Sequence, residues 1–60
     1  MYNKIREIAE KNGYTIQRLE KEAGLANGAI SKWEKSKPLA ENLQKVASVL
    51  GVRIEDLLEG

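Results

Sequence analysis

The sequence predicts a single all-α domain of five short helices around one core. Apolar residues recur every three or four positions along most of the chain, which is the spacing of one helical face, and no stretch alternates as a strand does. Glycine or proline stands at each junction between these periodic stretches. With 60 residues, the chain forms one domain (residues 1–60), near the smallest size at which packing alone supports a fold.

The predicted helices follow this punctuation. They cover about residues 2–11, 16–23, 27–35 and 40–50, and a final segment that begins near residue 54. Asn12-Gly13 ends the first helix and Gly51 the fourth, whose Leu43, Val46, Ala47 and Leu50 form the most regular apolar face. The stretch 35–38 is predicted as a loop, because a proline disfavours helical geometry in the residue before it.

The second and third helices meet at a glycine turn with the spacing of a DNA-reading helix-turn-helix. Thr15 is the predicted cap of the second helix, and Gly24 the left-handed residue that ends it. Ile30 and Trp33 lie three residues apart on one stripe, so Trp33 is predicted to pack in the core rather than stack on a base. The outward positions are then Asn27, Gly28, Ser31, Lys32 and Lys35. Asn can pair with adenine and Lys with guanine or phosphate, and the Cβ of Ala29 can meet a thymine methyl.

Composition excludes several other functions. The chain has no Cys and no His, which rules out disulfides, the usual zinc ligand sets and imidazole chemistry. Its nine acids are spread along helices without a scaffold for a pocket, so we expect no catalysis, metal, cofactor or small-molecule substrate. There is no signal-peptide pattern and no apolar run long enough for a membrane, from which a cytoplasmic location is expected.

The charge is unevenly distributed. Residues 1–38 carry eight Lys and Arg against five Glu, or +3, whereas residues 39–60 carry two against four acids, or −2. Lys32, Lys35 and Lys37 lie within six residues of one another. The basic surface is therefore expected on the side of the turn, where an anionic partner would bind.

These residues resemble the Cro/C1-type (XRE) helix-turn-helix family of phage repressors and bacterial regulators over nearly the whole chain. The similarity lies in Thr15, Leu19, Ala23-Gly24-Leu25, Ile30-Ser31-Lys32-Trp33-Glu34 and the closing segment LQKVASVLGVRIEDLL. It implies a compact five-helix, lambda-repressor-like fold. It also implies base reading from Asn27, Gly28, Ala29 and Lys32, and contacts to the DNA backbone from Thr15, Gln17, Ser31, Lys35, Lys37 and Asn42.

The chain departs from the family pattern at three positions. Ile16 stands where a Gln usually contacts the DNA backbone, and Gln17 is the expected substitute. Glu20 stands where a small Ala is usual, close to the third helix. Ala9 replaces an Arg that would pair with Glu34, which leaves Arg6, Lys35 or solvent to meet that carboxylate.

Three predicted helix starts also lack the usual Ser or Thr cap: Ala26, Leu39 and Arg53. Each lost cap typically costs about 1 kcal/mol. Asn27 can move the third helix's cap by one residue, and Leu39 can instead bury its side chain beside Leu43. Both redesign of the binding face and ordinary drift would produce this pattern.

The sequence thus predicts sequence-specific binding of double-stranded DNA, as a transcriptional regulator or its DNA-binding head. A protein-interaction module, such as an antitoxin-like domain, is the alternative, and an engineered DNA binder on this scaffold is a third reading. Leu57 and Leu58 are expected in the core, although an exposed leucine there could support a weak homodimer on adjacent half-sites.

Overall fold

The computed structural model describes residues 1–58 and confirms the all-α class, but not the number of α-helices. In chain order the elements are α1 (Tyr2–Lys11), α2 (Ile16–Glu22), a 3-10 helix (Ser31–Glu34), α3 (Ala40–Leu50) and α4 (Ile54–Leu58). The predicted helices over residues 2–11, 16–23 and 40–50 are therefore confirmed to within one residue. The α-helix predicted over residues 27–35 is wrong, for a reason that lies in the site described below.

One apolar cluster joins all five elements. α1 packs on the 3-10 helix, α2 on α3, and α3 on α4. The buried members of this core are Ile5, Ala9, Leu19, Ala23, Ile30, Trp33, Leu43, Val46, Ala47, Leu50 and Leu57. Trp33 is only 8% exposed, which confirms its predicted core position.

The three uncapped helix starts behave differently from one another. α3 begins after Leu39 with no side-chain cap, and Leu39 is 66% exposed, so the interpretation that it buries beside Leu43 is wrong. The chain is still extended at Leu39, before the periodic face of α3 begins. Among the described residues no helix begins at Ala26, so that position is not a helix cap.

Arg53 lies directly before α4, where sequence reasoning missed a compensating contact. Its backbone N–H donates to Oδ2 of Asp56 over 3.1 Å. This is the reciprocal half of a capping box, in which the third helical residue satisfies the N–H of the cap. The start of α4 is therefore partly stabilised without a hydroxyl at position 53.

The two terminal leucines separate. Leu57 is 1% exposed, whereas Leu58 is 56% exposed, so only the first belongs to the core. Leu58 lies with Met1, Pro38 and Ile54 along an apolar surface groove of about 320 Å³. A homodimer through this end of the chain stays a prediction.

Candidate nucleic-acid interface

The turn between α2 and the following segment forms as predicted. The Thr15 hydroxyl accepts a hydrogen bond from the Arg18 N–H over 3.1 Å and so caps α2. At the other end Gly24 has φ +73°, and the Leu25 N–H donates to the Glu20 carbonyl over 2.8 Å. A left-handed glycine followed by this six-to-one bond is a standard way to end a helix. The local pattern was sufficient because all of these contacts lie within a few residues of one another.

Residues 27–35, called the recognition segment from here on, are not an α-helix. Residues 27–30 form turns and Ser31–Glu34 form the 3-10 helix. Gly28 has φ +88°, a value that an α-helix does not allow. The prediction that Gly28 lies inside a helix is therefore wrong. Asn27-Gly28 is a turn dipeptide, and glycine takes a positive φ at no steric cost.

The side chain that holds this turn is Glu20 of α2. Oε1 of Glu20 accepts the Gly28 N–H over 3.0 Å, and Oε2 accepts the Ile30 N–H over 2.8 Å. Glu20 is only 2% exposed. Charged groups are rarely buried without partners, and these two N–H groups are the partners of its carboxylate. Of these two N–H groups, that of Ile30 is one that a cap by Asn27 would have served, so Glu20 supplies from α2 a hydrogen bond that the sequence assigned to Asn27.

Sequence reasoning noted Glu20 as a departure but did not assign it a role. The signal that could have found it is the combination of a carboxylate at a normally small position with an Asn-Gly turn eight residues later. A carboxylate has two acceptor oxygens, and an interrupted helix start offers unpaired N–H groups. The two features together predict a hydrogen-bonded pair across the turn.

The structure brings together part of the predicted base-reading and backbone-contact sets. Gln17, Asn27, Gly28 and Ser31 line one open cleft of about 290 Å³, together with Tyr2, Ile16 and Glu20. Gln17, Asn27 and Ser31 are exposed, while Gly28 is half-buried. Gln17 therefore lies beside the recognition segment. This is the location expected of a residue that stands in for the Gln that the family usually has at the position of Ile16.

The remaining predicted residues flank this cleft or lie apart from it. Lys32 is exposed on the 3-10 helix, and Ala29 is half-buried. Lys35 and Lys37 are exposed and line a second surface cavity, which Trp33 and Pro38 also border. Asn42 is half-buried in the first turn of α3, and the exposed Thr15 already uses its hydroxyl as the cap.

Lys32, Lys35 and Lys37 make no ion pair within residues 1–58, and the same is true of Lys4, Lys21 and Lys45 elsewhere in that range. Within residues 1–58, ion pairs join Arg6 to Glu10, Lys11 to Glu7, Arg18 to Glu22 and Arg53 to Asp56. None of these pairs involves Lys32, Lys35 or Lys37. Their charge is thus not neutralised locally, and it is available to an anionic partner.

Glu34 makes no ion pair among the described residues, and it is exposed. Arg6, one of its candidate partners, instead donates to Glu10 over 3.2 Å on its own helix. Of the alternatives considered from the sequence, the solvated carboxylate is the one found.

Tyr14 belongs to a small polar cluster with Arg18 and Glu22 of α2. Its hydroxyl donates to Glu22 over 3.3 Å, and the Arg18 guanidinium lies 5.0 Å from the centre of its ring. The hydrogen bond that Arg18 donates to Glu22, and then the charge of that carboxylate, raise the pKa of Arg18 above its ordinary value. The Tyr14 hydroxyl is therefore engaged within the protein.

A helix-turn-helix is the class of domain that this turn and the surrounding helices define. The helix-turn-helix family model matches residues 5–57, and the chain belongs to this Cro/C1-type family. The family is a DNA-binding one. A search of curated proteins found no significant match to the chain.

Residues 1–58 contain neither a metal-binding cluster nor a membrane-spanning helix. No group of three or more acids, cysteines or histidines there could hold a metal ion. No helix in that range is both long and apolar enough to span a bilayer.

Proposed function

We propose that the chain binds double-stranded DNA sequence-specifically, as a transcriptional regulator or as the DNA-binding head of one. The recognition segment enters the major groove. Asn27, Gly28, Ala29 and Lys32 then read base edges, and Gln17, Ser31, Lys35 and Lys37 meet the backbone, with weaker roles for Thr15 and Asn42.

The observation that supports the proposal is the open cleft in which α2 and the recognition segment meet, lined by Gln17 and Asn27. Gln17 comes from α2 and Asn27 and Ser31 from the recognition segment, yet they line one open surface. Amide and hydroxyl groups recognise base edges and phosphate oxygens. The adjacent lysines, which lack internal ion pairs, add the electrostatic attraction that nucleic acid requires.

The size of the domain implies how tight binding is achieved. A single module of this size buries about 600–1,000 Å² of protein surface on DNA. Two copies on adjacent half-sites would double that contact. We therefore expect the selected site to be a palindrome or a direct repeat.

The experiment is a selection of bound sequences from a random DNA pool, followed by titration of the recovered site at several salt concentrations. Each phosphate neutralised by a lysine contributes about −0.9 to the slope of log affinity against log salt. If Lys35 and Lys37 are the phosphate contacts, the slope is about −2 per module.

Lys35→Gln tests that assignment. It should reduce the slope by about 1 per module without changing the preferred sequence. The matched control is Lys45→Gln, which removes the same charge from an exposed position of α3 outside the proposed contacts. No enrichment in the selection and no salt-sensitive retention on DNA would refute the proposal and favour the protein-interaction alternative.

A further inference from the structure

Glu20 is an unusual group for the place it occupies. It is the one charged residue that is buried among residues 1–58, at 2% exposure. No Lys or Arg of that range lies within ion-pair distance of it, so its charge is compensated by backbone N–H groups. Loss of either hydrogen bond is costly for such a buried carboxylate. The oxygen left without a partner has lost its contact with water, and no hydrogen bond then compensates for that loss.

The two hydrogen bonds determine the shape of the recognition segment. They tie the N–H groups of Gly28 and Ile30 to α2, eight and ten residues back in the chain. Both N–H groups therefore point into the protein and are not offered to a phosphate. The segment then contacts DNA through groups other than these two N–H groups, among them the exposed side chains of Asn27, Ser31 and Lys32, whose positions depend on the turn that Glu20 holds.

We propose that Glu20 is a positioning residue that determines sequence specificity by pre-organising residues 27–31 for base reading. The inference rests on the proposed DNA binding, since Glu20 itself need not touch the DNA. A segment that is already ordered loses less conformational freedom on binding. The apparent affinity is proportional to the fraction of molecules that already have the binding conformation, so it falls when that fraction falls. Backbone contacts by the lysines do not depend on this order in the same way.

The test is Glu20→Gln, which keeps one acceptor oxygen and replaces the other with an amide group that cannot accept an N–H. The matched control is Glu22→Gln. It removes the same charge two residues away, from a side chain that bonds Arg18 and Tyr14 rather than the recognition segment. Both variants are compared with the wild type as free proteins and as DNA complexes.

In the free protein, hydrogen exchange followed by NMR should show that the Gly28 and Ile30 amides lose about tenfold or more protection in Glu20→Gln. The Leu19 amide, which bonds the Thr15 carbonyl within α2, should be unchanged. The affinity for the selected DNA site should fall about tenfold, as it does when only one molecule in ten has residues 27–31 in the binding conformation. Affinity for unrelated DNA and the salt slope should stay at the wild-type values, and Glu22→Gln should bind as the wild type does.

Two results would overturn the inference while leaving DNA binding intact. One is unchanged protection of the Gly28 and Ile30 amides, which would show that Glu20 does not hold the segment. The other is lost protection with undiminished preference for the selected site, which would show that pre-organisation does not determine specificity. A wild-type chain that selects no DNA sequence at all would instead refute the proposed function, and the specificity role with it.

Gly28→Ala provides a second variant if Glu20→Gln folds poorly. It strains the same turn but leaves the carboxylate in place. It should lower both the protection of the Ile30 amide and the affinity for the selected site, and an affinity loss with unchanged protection of that amide would come from a contact of Gly28 itself and contradict the positioning role.

Discussion

Substitution of Gly28 by alanine should change the stability of the fold in opposite directions, depending on whether the recognition segment is an α-helix or begins with a turn. In an α-helix, alanine would stabilise the fold by up to about 1 kcal/mol relative to glycine. In the structure Gly28 has φ +88°, where an L-residue with a Cβ is strained by about 1–2 kcal/mol.

The net magnitude follows from two further terms. A Cβ added at Gly28 meets no atom within 4 Å, so no collision adds to the strain. Alanine also restricts the unfolded chain, which returns about 0.4–1 kcal/mol. We therefore expect Gly28→Ala to destabilise the domain by about 1 kcal/mol, which lowers the melting temperature by about 4–8 °C in a domain of this size.

The assay is thermal and urea unfolding followed by circular dichroism. The control is Gly51→Ala, because Gly51 has a similar φ of +71° with equally free space, at the far end of α3. It should lose comparable stability without a change in sequence preference on DNA. A melting temperature that rises for Gly28→Ala would place residue 28 in helical geometry and refute the role assigned to the turn.

Three other substitutions test the remaining assignments. Lys32→Ala should weaken binding to the selected site by about tenfold or more and relax preference at one base pair, measured across all four bases at each position; a uniform loss on every sequence would assign Lys32 to phosphate. Trp33→Ala should destabilise the domain by about 3–5 kcal/mol, since it empties a position that is 8% exposed; an unchanged melting curve with lost DNA binding would contradict its core role. Arg53→Ser should add about 0.5–2 kcal/mol by completing the capping box with Asp56, because the exposed ion pair it removes, 3.9 Å long, contributes little. If calorimetry shows equal or lower stability for Arg53→Ser, position 53 is not a cap.

The sequence by itself determined the features that depend on neighbours within one or two helical turns. The bounds of α1, α2 and α3, the Thr15 cap, the end of α2 at Gly24 and the burial of Trp33 all rest on spacings of one to four residues. Such patterns are readable because helix periodicity and capping are local. The spacing around the glycine turn predicted a helix-turn-helix, and the resemblance added the Cro/C1-type family, which the family match then confirmed.

Only the tertiary structure decided the form of the recognition segment. The Ile30–Trp33 stripe favours a helix over residues 27–35, whereas the Asn27-Gly28 dipeptide favours a turn, so the local pattern does not choose between them. The segment forms a turn and a 3-10 helix because the Glu20 carboxylate offers two buried acceptors to the Gly28 and Ile30 N–H groups. Those bonds exist only after α2 and the segment have packed together, and a buried charge must then find its partners wherever the fold provides them.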